Sequence, residues 1–190
     1  MTVWYRRILV LMAAAIGLLG GARAQGEVPS VDEITRKVSQ AALRYIEAVS
    51  CEHGGVAAKD IAALGAYGFD EGRSYPTATY AVVWSGDIGC MGGSGTVSSN
   101  ILVVRVGPTP EFLVDPNASS PVVHFEIPVK YVDKLVGNTA DQLVLEGFDY
   151  GPNDASCCPS IHKRVTMQVD EKGNWKTLKQ RTLGVRQQQQ

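Results

Sequence analysis

The four cysteines, Cys51, Cys90, Cys157 and Cys158, carry the most distinctive chemistry of this chain. In an oxidising compartment an even number of cysteines is typical of a disulfide framework. A bond between Cys157 and Cys158 would close a strained ring, and neighbouring side chains of an extended segment point to opposite faces. We therefore expect Cys157 and Cys158 each to bond one of Cys51 and Cys90, in an order that the sequence leaves open. A zinc site is disfavoured because no CxxC pair is present.

A glycine-rich segment at residues 87–96 is the second chemical feature. The small residues at its centre are Gly92, Gly93, Ser94 and Gly95. Successive amides of such a loop can hold an anion. The segment lacks the Gly-Lys-Ser/Thr of a P-loop, and Thr96 stands where a nucleophile elbow needs glycine. We favour a loop kept small so that Cys90 can reach its partner, with a ligand-binding loop as the alternative.

A cysteine–histidine hydrolase would need a free thiol beside an imidazole. His53 and His162 lie close in sequence to cysteines that we expect in disulfides, and His124 lies within a strand pattern. No catalytic residue, cofactor-binding residue or metal ligand is therefore predicted. The favoured function is non-enzymatic binding of a protein or a cell-envelope component, although the sequence identifies neither.

Residues 1–24 have the pattern of a secretory signal peptide. Arg6 and Arg7 precede an apolar run, and Ala22-Arg-Ala24 fits the small-x-small cleavage pattern. The run is shorter than the roughly 20 residues that span a bilayer, so stable membrane insertion is not expected after cleavage. We expect one exported α+β domain over residues 25–185, periplasmic or secreted, and a disordered tail over residues 186–190.

The charge balance bears on the class of partner. The chain has 18 basic and 19 acidic side chains, and loss of residues 1–24 removes three arginines and no acid, so that the net charge falls from −1 to −4. Phosphate binding needs concentrated Lys and Arg. The sequence contains no basic cluster, which predicts that nucleic acid is not a partner.

Hydrophobic periodicity predicts the elements that position these residues. Ser30 and Glu33 fit a capping box at the start of an amphipathic helix that ends near Cys51. A weaker helix is predicted over residues 57–67. Strands are predicted over residues 77–85, 97–106, 122–128, 142–150, 163–170 and 175–182. This order indicates an α+β fold in which the N-terminal helix packs on an antiparallel sheet of about five to six strands, stapled by disulfides. The alternative is a β-sandwich or small barrel with an added helix.

The late segment Asp154-Ala-Ser-Cys-Cys-Pro-Ser160 resembles the D-x-x-C-C-P-S signature of exported bacterial proteins of the LppP/LprE lipoprotein type. The resemblance covers about residues 142–180, together with Asp87-Ile-Gly-Cys90 and its following glycines. The lipidated cysteine of those lipoproteins has no counterpart here, so a membrane tether is not implied. The resemblance implies an envelope location and disulfide bonds, but no reaction.

Two alternatives to simple binding stay open from the sequence. One is a small periplasmic hydrolase that uses the glycine-rich loop or a free cysteine. The other is a periplasmic inhibitor or immunity protein against a cell-wall-degrading enzyme or a toxin, which is suggested only by compartment and size.

Overall fold

The structure is a computed structural model that describes residues 29–65, 78–93, 95–107, 111–123 and 125–186. The expected signal peptide at 1–24, the tail residues 187–190, Ser94 and His124 lie outside these ranges. The described part contains one α-helix and nine strands in two antiparallel sheets. The predicted α+β fold, a helix packed on an antiparallel sheet with a disulfide staple, is confirmed.

The helix precedes the nine strands of the described residues, which divide between the two sheets as follows. The helix α1 spans Val31–Val49. The first sheet contains β1 (Ser50–His53), β2 (Ile61–Leu64), β3 (Thr79–Ile88), β4 (Ser98–Val106) and β5 (Phe112–Val114). The second contains β6 (Tyr131–Asn138), β7 (Gln142–Asp149), β8 (Ile161–Val169) and β9 (Trp175–Val185). In the first sheet β3 pairs with β4 along one edge and with β1 and β2 along the other, whereas β6 to β9 pair in chain order.

Helix α1 covers one face of the first sheet. The predicted N-cap is confirmed, because Ser30 Oγ accepts a hydrogen bond from the Glu33 N–H at 3.2 Å. The apolar stripe of the helix packs on the side chains of β3 and β4 that point towards it. This first core includes Ile34, Val38, Ala42, Ile46, Tyr80, Val82, Trp84, Leu102 and Val104.

The opposite face of the first sheet packs against the inner face of the second. The alternating residues of β3 and β4 meet those of β7 and β8 in a second core, which includes Ala81, Val83, Ile101, Val103, Leu143, Leu145, Val165 and Met167. The molecule is thus a three-layer stack of helix, sheet and sheet. The sandwich that was the alternative prediction is present together with the helix-on-sheet packing.

Two element predictions are wrong. Residues 57–65, the described part of the helix predicted over 57–67, do not form an α-helix: a 3₁₀ turn at Ala58–Asp60 leads into strand β2, whose four residues are all buried. A strand covered on both faces has a continuous apolar run, which is easily taken for a short helix. The described residues of 122–128 have turn, bend or irregular structure and do not form a strand, because this segment carries the chain from the first sheet to the second.

The predicted disulfide pairing is also wrong. Cys51 bonds Cys90 and Cys157 bonds Cys158. Antiparallel pairing of β1 with β3 sets Ser50 opposite Ile88, which brings the Cα atoms of Cys51 and Cys90 to 5.2 Å. The assumption of an extended segment fails at Cys157 and Cys158, where the Cys158 N–H donates to the Ala155 carbonyl in a turn.

Gly147 lies at a close approach of β6 and β7. A Cβ at this position would collide with the Tyr131 carbonyl oxygen and lie 2.9 Å from Val132 Cα, both of which are backbone atoms. We expect Gly147→Ala to lower the free energy of unfolding by about 2–3 kcal/mol, because the strands must separate. Urea denaturation measures the change.

The matched control is Gly184→Ala on β9, where no atom lies within 4 Å of the added Cβ. A change below about 0.5 kcal/mol is expected there. Equal losses in the two variants would contradict the close approach of β6 and β7.

Candidate functional site

The outer face of the second sheet is the side that points away from the first sheet. Side chains alternate along a strand, so the neighbours of the core residues Leu143, Leu145, Val165 and Met167 point outwards. The strand register aligns these outward residues in rows across the sheet. Five cations project from this face, and we call them the basic face: Lys134, Arg164, Lys176, Lys179 and Arg181.

One row of this face is built on a buried carboxylate. Lys134, Glu146, Arg164 and Arg181 are register partners on four successive strands. Glu146 is only 4% exposed. Its Oε2 lies 3.0 Å from Lys134 Nζ, and its Oε1 accepts from Arg164 Nε at 2.8 Å and also from Arg164 Nη2. Hydrogen bonds from Arg164 and then Lys134 lower the pKa of Glu146 against the opposing effect of burial.

The other cations come from strand β9. Lys176, Lys179 and Arg181 are exposed and lie opposite Gln168, Thr166 and Arg164 of β8. None of these three cations has a carboxylate as its register partner on β8. The sequence has no basic run, but strand pairing brings these five cations together from three strands. The expectation that nucleic acid is not a partner stays a prediction.

An aromatic row ends the basic face near the cysteine loop. The rings of Phe148 and His162 stack with their centroids 4.9 Å apart. The Arg186 guanidinium carbon lies 4.0 Å from the Phe148 ring centroid. The Arg186 N–H donates to the Ser160 carbonyl at 2.8 Å, which fixes this first residue of the predicted tail to the domain.

A cavity of about 360 Å³ opens beside this aromatic row. Its lining includes Tyr131, Phe148, Cys157, Cys158, Pro159 and Arg186. Asp154 shapes the loop that carries the cysteines, since its Oδ2 accepts from the N–H groups of Gly151 at 2.6 Å and Ser160 at 2.7 Å. The same hydrogen bonds, that of Gly151 foremost, lower the pKa of Asp154.

Several backbone groups of the glycine-rich loop at residues 87–96 form hydrogen bonds with other groups of the protein. Asp87 Oδ2 accepts the Gly92 N–H at 2.8 Å, so a carboxylate already holds one amide that an anion would need. The Gly93 carbonyl accepts from Thr96, and the Gly95 carbonyl accepts from Lys130 Nζ at 2.7 Å. Ser94 lies outside the described residues. The described glycines thus make hydrogen bonds within the protein, and a ligand-binding role for this loop stays a prediction.

Left-handed backbone explains the glycine content of this loop. Gly89, Gly92 and Gly93 have φ values of 91°, 69° and 107°, and Cys90 itself has φ 59°. Such angles are available to glycine at little steric cost. They turn the chain sharply at the end of β3, where Cys90 bonds Cys51.

The cysteines and histidines supply no nucleophile or metal cluster in the described part of the chain. All four cysteines are in disulfides, so none offers a free thiol. No group of three or more His, Cys, Asp and Glu side chains could hold a metal ion among the described residues. The described helix is not apolar enough to cross a membrane.

Comparison with protein-family models, with curated protein sequences and with solved structures finds no match to this chain. The site is therefore interpreted from its own geometry and charge.

Glu146→Gln tests the buried carboxylate under the basic face. At pH 7 we expect a loss of about 1–2 kcal/mol in the free energy of unfolding, because the charge-assisted hydrogen bonds to Arg164 and Lys134 are weakened. The native pKa of Glu146 is below its ordinary value of 4.5. The ionised Glu146 carboxylate therefore contributes fully to the free energy of unfolding above pH 4.5. This contribution is lost as the pH falls through the native pKa. The difference between wild type and variant, measured by denaturation at several pH values, should therefore shrink in acid.

Glu33→Gln is the control, because Glu33 forms a half-exposed pair with Lys37 on α1. It should cost no more than about 0.5 kcal/mol. A loss as small for Glu146→Gln would contradict the role of Glu146.

Proposed function

We propose that this protein works outside the cytosol as a non-enzymatic binding protein, and that its basic face holds an anionic polymer of the cell envelope. The polymer would carry repeated phosphate or carboxylate groups. The observation that carries the proposal is the gathering of five cations on one face of a chain whose net charge is −1. A segregated charge of this kind attracts a partner of opposite charge.

The arrangement of the cations favours a polymer over an acidic protein surface. Protein interfaces usually depend on buried aromatic or arginine anchors in the middle of the contact. The lysines and arginines in the central rows of the basic face are exposed, and their uncharged neighbours are Val144 and Thr166, so none of these side chains is a buried aromatic or arginine anchor. Long exposed cations on a sheet can follow a chain of charges, and binding then depends strongly on salt.

Export is supported by chemistry that is separate from the basic face. The Cys51–Cys90 disulfide is compatible with an oxidising compartment, where disulfides persist. The signal-peptide pattern of residues 1–24 and the resemblance to exported lipoproteins point the same way. The hydrolase alternative loses its free cysteine, because all four cysteines are paired.

Charge reversal of β9 tests the proposed function. Wild type should bind long-chain polyphosphate and polyglutamate but not neutral dextran, and its affinity should fall steeply between 50 and 200 mM salt. The double variant Lys179→Glu, Arg181→Glu should weaken polyphosphate binding by about tenfold or more, because two cations become two anions. Isothermal titration calorimetry on the full chain measures these affinities.

The matched control changes net charge by the same amount elsewhere. Arg36 and Arg44 are both exposed on α1, which lies on the other side of the first sheet from the basic face. Arg36→Glu, Arg44→Glu should bind like wild type. An equal loss in both double variants would mean that net charge alone matters, and no binding at 50 mM salt would refute the proposal. Selective capture of an acidic protein, with no polymer binding, would favour the protein-binding alternative.

A further inference from the structure

The two disulfides differ in how much they can stabilise the folded protein. Cys51 and Cys90 are 39 residues apart in sequence, and their bond ties the start of β1 to the loop after β3. Cys157 and Cys158 are adjacent, so their bond closes no chain loop. A disulfide stabilises mainly by restricting the unfolded chain, and this effect grows with the length of the closed loop. The second bond therefore has little to contribute to folding.

The loop that carries Cys157 and Cys158 is held by other contacts. Asp154 accepts hydrogen bonds from the N–H groups of Gly151 and Ser160, which lie at the two ends of the loop. Tyr150 Oη donates to the Ser156 carbonyl, and the Cys158 N–H donates to the Ala155 carbonyl at 2.9 Å. These hydrogen bonds do not involve the sulfur atoms. The loop can therefore keep its shape when the bond between the sulfurs opens.

Access to the adjacent pair is open. Cys157 and Cys158 are both exposed, and both line the cavity of about 360 Å³ beside Phe148 and Arg186. This volume is at the lower end of the range for small-molecule sites. The Arg186 cation on the cavity wall favours the approach of a negatively charged sulfur, and nearby cations stabilise thiolates in general.

We propose that Cys157–Cys158 is a site of reversible thiol–disulfide exchange with a small thiol compound. A thiolate of that compound attacks one Sγ of the pair, which forms a mixed disulfide and releases the other cysteine as a thiolate that takes up a proton. A second molecule of the thiol attacks the mixed disulfide and releases the remaining cysteine. The pair gains two electrons and two protons, and the two thiol molecules become one disulfide.

Reduction of the full chain by glutathione tests the proposal. The oxidised protein is incubated with reduced glutathione, alkylated and analysed by peptide mass spectrometry. We expect Cys157 and Cys158 to become alkylated while Cys51–Cys90 stays intact and the circular dichroism spectrum is unchanged. Addition of oxidised glutathione should restore the pair. Reduction only after Cys51–Cys90 has opened, or loss of the fold when the adjacent pair is reduced, would overturn the proposal.

Paired serine variants separate exchange from stability. Cys157→Ser, Cys158→Ser should keep the melting temperature within about 2 °C of wild type, whereas Cys51→Ser, Cys90→Ser should lower it by about 10 °C. A fall of the same size in both variants would mean that the adjacent bond is structural. The single variant Cys158→Ser should form a mixed disulfide at Cys157 when treated with oxidised glutathione. Absence of that adduct would also overturn the proposal.

Discussion

The structure depends on burying the central strands β3 and β4 on both of their faces. Tyr80, Val82 and Trp84 point to α1, while Ala81 and Val83 point to the second sheet. Neither covering layer can be removed without exposing one whole face of these strands to water, which the hydrophobic effect opposes. The helix therefore covers one side, and the second sheet must cover the other.

Because of this constraint, the two faces of the second sheet need different types of residue. Its inner face has to be apolar, and Leu145 and Val165 are fully buried there. Its outer face does not pack against the first sheet, so charged residues can be accommodated on it. Glu146 is the one residue of the charged row that is buried on this outer side, and its hydrogen bonds hold Lys134 and Arg164 in place. The order of the layers thus permits the basic face, which is also a candidate binding surface.

Strong local patterns were enough to predict the helix and the longer strands. The stripe of α1 and the alternation of β7 each repeat over several turns or residue pairs, so they signal their structure without tertiary information. Strand β2 could not be recognised in this way, because burial on both faces removes its alternation. The second sheet was also hidden, since alternation shows that one face is buried but not which layer covers it.

The basic face was missed for a reason that lies in the strand register. Simple alternation would place Lys176 and Lys179 on opposite faces of β9, because they are three residues apart. The register of β8 and β9 shifts between Thr166 and Met167, and this irregularity turns both lysines outwards. Lys134 and Arg164 join them only through pairing of strands that are distant in sequence. Charge counts taken along the chain cannot include either effect.

The pairing of the cysteines was likewise decided by long-range strand contacts and not by local sequence. Whether Cys51 meets Cys90 is decided by the pairing of β1 with β3, which the sequence does not reveal. Once these two are joined, Cys157 and Cys158 have only each other within reach of a bond in the chain. A pair left over in this way adds little to the stability of the fold. Its position on an exposed loop, beside a cavity and at the end of the basic face, therefore makes it a better candidate for chemistry than for support.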